Sequence, residues 1–420
     1  MFKRITDSLF SPAKTEDRFD AICFNFILFD IFFIPLFPLF SVSISLPIML
    51  YWYVKRRNKV SFVHEKRCFS LILLLMIIST LFSVFEFEGA SYNTDFTTSA
   101  KRCIQYVTSF CYYFFFTYFF ISYRRNINNI VFAGIIYITL YALLYSFNQD
   151  TFILLKHLLC PFDPQVNRWL GHELLVYRFN YLWADPNNVA YATTALSLFY
   201  FMEEKKSIIK KYIILSCLAY VLLCTMSIGG IAVAAVLIGY LIVFTKAFRS
   251  STSAVLMGSL AIIVICCYIY SNYEFFYELI DMGIGQRHDI YGSDGIAGGG
   301  GRGADLLNGL RKFNPIFLFV GSGKEGYVTE IGHIYVWYMY GLPVYVYFLY
   351  VLFGKRKRQT WAEYLSIVPM FVGFTMNIAI GEQKYLLLTL LISAYYSAKN
   401  YNLRRDYLTY ENLHIYNINR

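Results

Sequence analysis

Apolar stretches of bilayer-spanning length recur along this chain, and short basic clusters such as Lys55-Arg56-Arg57 and Lys355-Arg356-Lys357-Arg358 separate them. A hydrocarbon core takes roughly 20 apolar residues per helix, with about 17–25 tolerated. Composition agrees: 57% of the 420 residues are hydrophobic and 15% are charged, with a mean hydropathy of +0.47. Soluble chains carry about 25% charged residues, so there is too little polar surface here to cover a globular particle. Aromatic residues reach 20%, which excludes disorder. The expected fold is an all-α, polytopic membrane protein forming one membrane-embedded domain, 1–420.

Net charge is +10, from 37 basic and 27 acidic residues. In a soluble domain that balance would suggest nucleic acid. Here the basic residues stand between apolar runs, as orientation signals do, so nucleic acid is not an expected partner. Eight of the nine cysteines lie in or beside apolar runs, and only Cys160 sits well inside a loop. There is no disulfide framework and no CxxC pair in that distribution. The first twenty residues are polar and hold no cleavable-signal pattern.

The first apolar stretch, 21–54, is too long for one span, and Pro35 and Pro38 interrupt it. Proline breaks the helical hydrogen-bond ladder, so a hairpin of two short spans is expected. Further spans are expected at 68–85, 102–121, 130–147, 188–202, 212–226, 229–245, 254–270, 332–353, 361–380 and 385–398. The total is about twelve transmembrane helices. Placing both termini in the cytoplasm puts 26 basic and 10 acidic residues inside, against 11 basic and 16 acidic outside. Asp30 is then alone within a span. Every inside connection carries Lys or Arg close to a span, as the positive-inside rule requires.

Two outward-facing loops are long, 148–187 and 271–331, well beyond the ~12–15 residues past which loops usually carry function or disorder. They hold or border His157, His172, His288 and His333, with Arg168, Arg178, Arg287, Arg302 and Arg311. The guanidinium is a planar, permanently charged fork suited to phosphate oxygens. Such a set at an outer face fits a lipid-linked phosphate. Headgroup contact, or ion pairs with Asp163, Glu173, Asp289 and Asp305, is the plainer alternative.

The glycine run 298–301, followed by Arg302 and Gly303, lacks the Gly-Lys-Ser/Thr ending of a P-loop. It suits a mobile lid, or a simple flexible linker. A short helix is expected over 304–313, ended by Asn314-Pro315. Asp185-Pro186-Asn187-Asn188 reads as a helix start, with Asp at the N-cap and Pro at the first helical position. A carboxylate or amide at such a mouth also suits sugar hydroxyls. His333 opens a span, with Glu330 three residues earlier on the same helical face. That pair is able to take a proton from a hydroxyl nucleophile; a water-satisfied interfacial histidine is the structural alternative. The sequence has no HExxH, DxD or Cys/His ligand spacing, so no metal or other cofactor is expected.

With these residues in place, the chain resembles the O-antigen polymerase (Wzy-type) and O-antigen ligase superfamily. One carrier is Arg178 followed by Asp185-Pro186-Asn187-Asn188 at a span entrance. Another is Gly301-Arg302 leading to Pro315 and Gly321-Ser322-Gly323. The third is His333 opening a span that contains Gly341-Leu342. Arg287 with Gly298 is similar to an Arg-x10-Gly spacing of polymerase loops. Ile334 and Leu306 stand where ligases often carry Asn and Trp, which favours polymerase.

The resemblance implies a GT-C-like, metal-independent glycosyltransferase in a bacterial inner membrane. It would polymerise undecaprenyl-diphosphate-linked oligosaccharide repeat units into O-antigen or capsular polysaccharide at the outer face. Membrane lipids, a chain-length regulator and a flippase would be its other partners. Outside the cell no nucleotide is at hand, so the donor must bring its own leaving group, and a lipid diphosphate does. Arg302, Arg178 and Arg287 would neutralise the departing diphosphate, and His333, oriented by Glu330, would take the hydroxyl proton. Asp185, Asn187 and Arg311 complete the expected substrate contacts. Within the family the alternative is a ligase that attaches glycan to lipid A-core. A lipid or polysaccharide transporter is the alternative of another class; the crowding of ionisable residues in two outer loops favours an enzyme.

Overall fold

A computed structural model describes residues 17–35, 42–56, 66, 68–85, 96–161, 163–172, 177–244, 270–271, 273–274, 277, 316–324, 331–354, 361–376 and 382–418. Their regular structure is helical. In chain order the helices are α1 (Arg18–Phe33), α2 (Leu46–Lys55), α3 (Phe69–Phe82), α4 (Phe96–Tyr123), α5 (Asn128–Phe147) and α6 (Gln149–Leu159). They continue as α7 (Pro164–Leu170), α8 (Pro186–Glu203), α9 (Ile208–Thr225), α10 (Ile228–Phe244) and α11 (Phe317–Val320). Last come α12 (Gly332–Tyr340), α13 (Leu342–Phe353), α14 (Trp361–Leu365), α15 (Val368–Met376) and α16 (Gln383–Ile418).

Among these, α4, α5 and α9, with 28, 20 and 18 residues, are long and apolar enough to cross a membrane. At 1.5 Å per residue the shortest of the three spans about 27 Å. The shorter helix α3 shows what solvent its surface suits. Leu71, Leu74, Ile77 and Leu81 face outward, while Ser79 and Thr80 are buried. Water would reverse that pattern. The buried hydroxyls turn back on their own helix, Thr80 to the Met76 carbonyl (2.8 Å) and Ser79 to that of Leu75 (2.9 Å), which satisfies them where water is absent.

Within the stretch 21–54 the described residues form two helices, α1 and α2, which pack on each other. Ile34, which precedes Pro35, is extended at φ −107° and ψ 139°, because the proline ring excludes the helical region for its predecessor. Pro47 sits in the first turn of α2, where its missing N–H costs nothing. At the centre, α4 packs along α16. The two run parallel: Thr108 meets Gln383 at one end, and Phe120 meets Asn402 at the other. Aromatic rings fill much of this core, with Phe24 stacked on Phe119 at 4.8 Å.

Two expected single spans are each divided. The stretch 332–353 breaks at Gly341, φ +85°, where a Cβ would collide with the Phe319 carbonyl. The break frees carbonyls at the end of α12. Ser322 and Gly323 close two of them, donating their N–H groups to Tyr338 and Met339 at 2.8 and 2.9 Å. The stretch 361–380 divides into α14 and α15, with a turn from Ile367 N–H to the Tyr364 carbonyl at 2.9 Å. The expected span 254–270 (apart from Tyr270), the glycine run and the expected helix 304–313 lie outside the described residues.

Polar clusters gather at the two ends of the bundle. At one end Asp20 accepts from Trp52 Nε1 (3.0 Å), Arg56 Nε (3.1 Å) and Tyr123 Oη (2.8 Å). Lys399 there bridges Glu203 at 2.7 Å and Glu363 at 3.1 Å. The opposite end carries the first long loop and the site described next.

Candidate functional site

Residues 177–183 have no regular structure yet are buried, so each backbone polar group there needs a protein partner. Three helix ends supply the frame. Asp185 starts α8: its carboxylate accepts from the Asn187 N–H at 2.6 Å, with Pro186 in the first turn. Ser227 starts α10 by accepting from the Gly230 N–H at 3.2 Å. Between them α9 ends at Thr225, followed by Met226 in the left-handed conformation, φ +50°.

Arg178 closes this junction. Its Nε donates to the Thr225 carbonyl at 3.0 Å and its Nη2 to that of Met226 at 3.1 Å. Those carbonyls belong to a helix C-terminus, where a cation also meets the negative end of the helix dipole. Nη2 stands 3.5 Å from Asn187 Oδ1, which accepts from Ser227 Oγ at 2.8 Å. Arg178, Asp185 and Asn187 are thus brought together. Much of the guanidinium, however, is engaged by main-chain carbonyls.

Beside the same mouth lies a carboxylate that sequence reasoning missed. Glu382, in the turn before α16, accepts from Asn188 Nδ2 at 2.6 Å and lies 3.4 Å from the Ala184 N–H. Its carboxyl is pushed up to about 8. Burial is the largest cause; Asp163 and Asp185 add to it, while the Asn188 bond and Lys156 oppose it. Lys156 is buried, donating to the Trp183 carbonyl at 2.7 Å and paired with Asp163 at 2.8 Å. Burial pulls its amine below the ordinary lysine range despite that partner.

The next two residues anchor the turn. Gln383 accepts from the Ser43 N–H at 2.7 Å and donates to Thr108 Oγ1 at 3.0 Å. Lys384 donates to Asp30 Oδ1 at 2.7 Å, with both side chains buried. Asp30 also accepts from Ser43 Oγ and from the Ser45 N–H. The charge that stands alone in the sequence of its span is therefore paired.

His333 sits elsewhere, near the start of α12. Its Nε2 donates to the Phe371 carbonyl at 2.9 Å, and its Nδ1 faces Tyr345 Oη at 3.2 Å. A carbonyl only accepts, so in the neutral ring Nε2 carries the proton and Nδ1 accepts from Tyr345. The ring also packs on Phe371 and Phe374. Phe374 and Tyr385 continue that contact to Trp183 beside the loop. Glu330, Arg287, Arg302 and Arg311 lie outside the described residues.

Among the described residues no group of three or more His, Cys, Asp or Glu side chains could hold a metal ion. Comparison with protein-family models, curated proteins and solved structures finds no match to this chain.

Proposed function

We propose that this chain is a multi-span membrane glycosyltransferase that joins undecaprenyl-diphosphate-linked oligosaccharide units at the outer face of a bacterial inner membrane. The reading rests on the family resemblance. The observation that carries it furthest is the junction at the start of α8, where Arg178, Asp185, Asn187, Asn188 and Glu382 meet at one end of the bundle. Charge neutralisation for a diphosphate, amides for sugar hydroxyls and a carboxylate for proton transfer are the chemistry such a transfer requires.

Contacts across the bundle support the twelve-span arrangement with cytoplasmic termini. The charge alternation assigns Asp20, Arg56, Tyr123, Glu203, Glu363 and Lys399 to the inside, and these residues form two clusters at one end. It assigns Arg178, Asn188, Met226 and Glu382 to the outside, and these gather at the other. In this reading Arg302 and Arg178 stabilise the leaving diphosphate, Arg287 and Arg311 assist, and His333 with Glu330 is the sequence-derived candidate for the base.

A transporter is the second reading, favoured by the span broken at Gly341 and the buried Asp30–Lys384 pair. Deleting the chain from its host, and running surface polysaccharide on a gel, separates the readings. A polymerase deletion leaves lipopolysaccharide or capsule with a single repeat unit. Polymer still accumulating on undecaprenyl diphosphate points to ligase. Polymer of normal length at the surface would refute glycosyl transfer by this chain.

A further inference from the structure

We propose that Glu382 is the catalytic base of the transfer, held for that task by the Asn188 amide and by its neighbours Gln383 and Lys384. The assignment rests on the glycosyltransferase reading and names a residue for it that the sequence motifs do not contain. In the step, the acceptor hydroxyl oxygen bonds to the anomeric carbon of the donor sugar. The bond from that carbon to the diphosphate oxygen breaks, and its electron pair leaves with undecaprenyl diphosphate. The hydroxyl proton passes to Glu382 and then to water.

Position comes first. Glu382 is partly exposed, whereas Gln383 and Lys384 are buried, so of these three residues it is the one with surface open to a substrate. Each of the three consecutive residues is tied to a different helix. Glu382 reaches the start of α8, Gln383 reaches Ser43 and α4, and Lys384 reaches Asp30 on α1. A base whose anchors are locked loses little freedom when substrate arrives.

Bonding capacity comes second. Among the described residues, Glu382 Oε2 takes one short bond from Asn188, and Oε1 has the 3.4 Å approach of the Ala184 N–H. Lone pairs remain for a hydroxyl. The Oδ1 of Asn188 is buried with no partner. The amide can therefore serve both protonation states: its NH₂ donates to the carboxylate, and, turned over, its oxygen accepts from the acid. His333, by contrast, has both ring nitrogens in hydrogen bonds.

Proton affinity agrees with the geometry. Among the described residues, Lys156 from α6, Asp163 at the start of α7 and Asp185 at the start of α8 act on Glu382, and Cys160 and Tyr385 on α16 are titratable groups coupled to it. Burial, with Asp163 and Asp185, raises its carboxyl to about 8 against the opposing Asn188 bond and Lys156, near where a general base is most effective.

The test uses the full-length chain reconstituted in lipid vesicles, with the lipid-linked oligosaccharide extracted from the deletion strain as probe. Wild-type polymerisation should rise with pH through about 8. Glu382→Gln should lose about 10²–10⁴ in rate, the contribution of a general base, and its residual rate should lack the pH limb. Asn188→Ala removes a donor to the ionised form and should move the limb to higher pH. Glu382→Gln with near-wild-type rate, or with the limb intact, overturns the assignment. Should Glu382→Gln not fold, Glu382→Asp decides: wild-type rate with an unmoved limb overturns it, and a lowered rate with a shifted limb supports it. A wild-type protein that makes no polymer from the probe refutes the glycosyltransferase reading itself, and the assignment falls with it.

Discussion

Arg178, proposed as a contact for the diphosphate, is also a structural clamp in the fold. Its Nε and Nη2 close the carbonyls of Thr225 and Met226. Removing it leaves buried carbonyls without donors, at about 1–3 kcal/mol for each unmet group. Arg178→Ala should therefore lower the melting temperature in detergent as well as any polymerising activity. Arg178→Lys should recover only part of both, because an ammonium cannot span two carbonyls as the guanidinium fork does. Unchanged thermal stability in Arg178→Ala would separate the residue from this clamp. Asp185 is legible from sequence for a different reason. An N-cap acts within three residues, so Asp-Pro before an apolar run predicts the bond to Asn187 that is observed.

At the scale of elements, the break between α12 and α13 and its strap are the feature a hydropathy profile does not show. Gly341 and Leu342-Pro343 mark a possible break, but the carbonyls it frees are satisfied by Ser322 and Gly323 from a distant segment. Inside a membrane such irregular backbone persists only where protein groups satisfy it. Gly323 has φ +66°, and a Cβ there would fall onto the Ser79 backbone. Gly323→Ala combines that collision with the left-handed penalty of about 1–2 kcal/mol, and the colliding atoms are backbone that cannot turn aside. We expect loss of most folded protein, read as the monodisperse fraction after detergent extraction. Recovery equal to wild type would show that the strap does not hold α12 in place.

Across the whole molecule, the Asp30–Lys384 pair joins α1 to α16. A buried ion pair is weak support for stability, but breaking one is costly, about 3–5 kcal/mol, because it leaves an unpaired charge. Asp30→Leu and Lys384→Met should each destabilise strongly, and the double variant should be less damaged than the sum of the two. Additive effects in the cycle would exclude direct coupling. The sidedness of the bundle has its own check in introduced cysteines. Lys206 is exposed beside the N-cap of α9 and faces the cytoplasm in the proposed topology, so Lys206→Cys should be protected from an impermeant reagent in intact cells. Gly299→Cys should be labelled. The reverse pattern would invert the topology.

What the sequence determined by itself is what short-range physics controls. Apolar runs, proline positions and caps act over a few residues, so the helical class, the division of 21–54 into α1 and α2, and the start of α8 could be read directly. Tertiary structure decided which polar groups meet. Glu382 and Asn188 are 194 residues apart and Asp30 and Lys384 are 354 apart, and nothing in their local sequence encodes either partner. In an apolar setting an unpaired polar group is expensive, so packing must bring such groups together. Which pairs form depends on how the helices lie against one another, and that is why the carboxylate beside α8 became visible only in the fold.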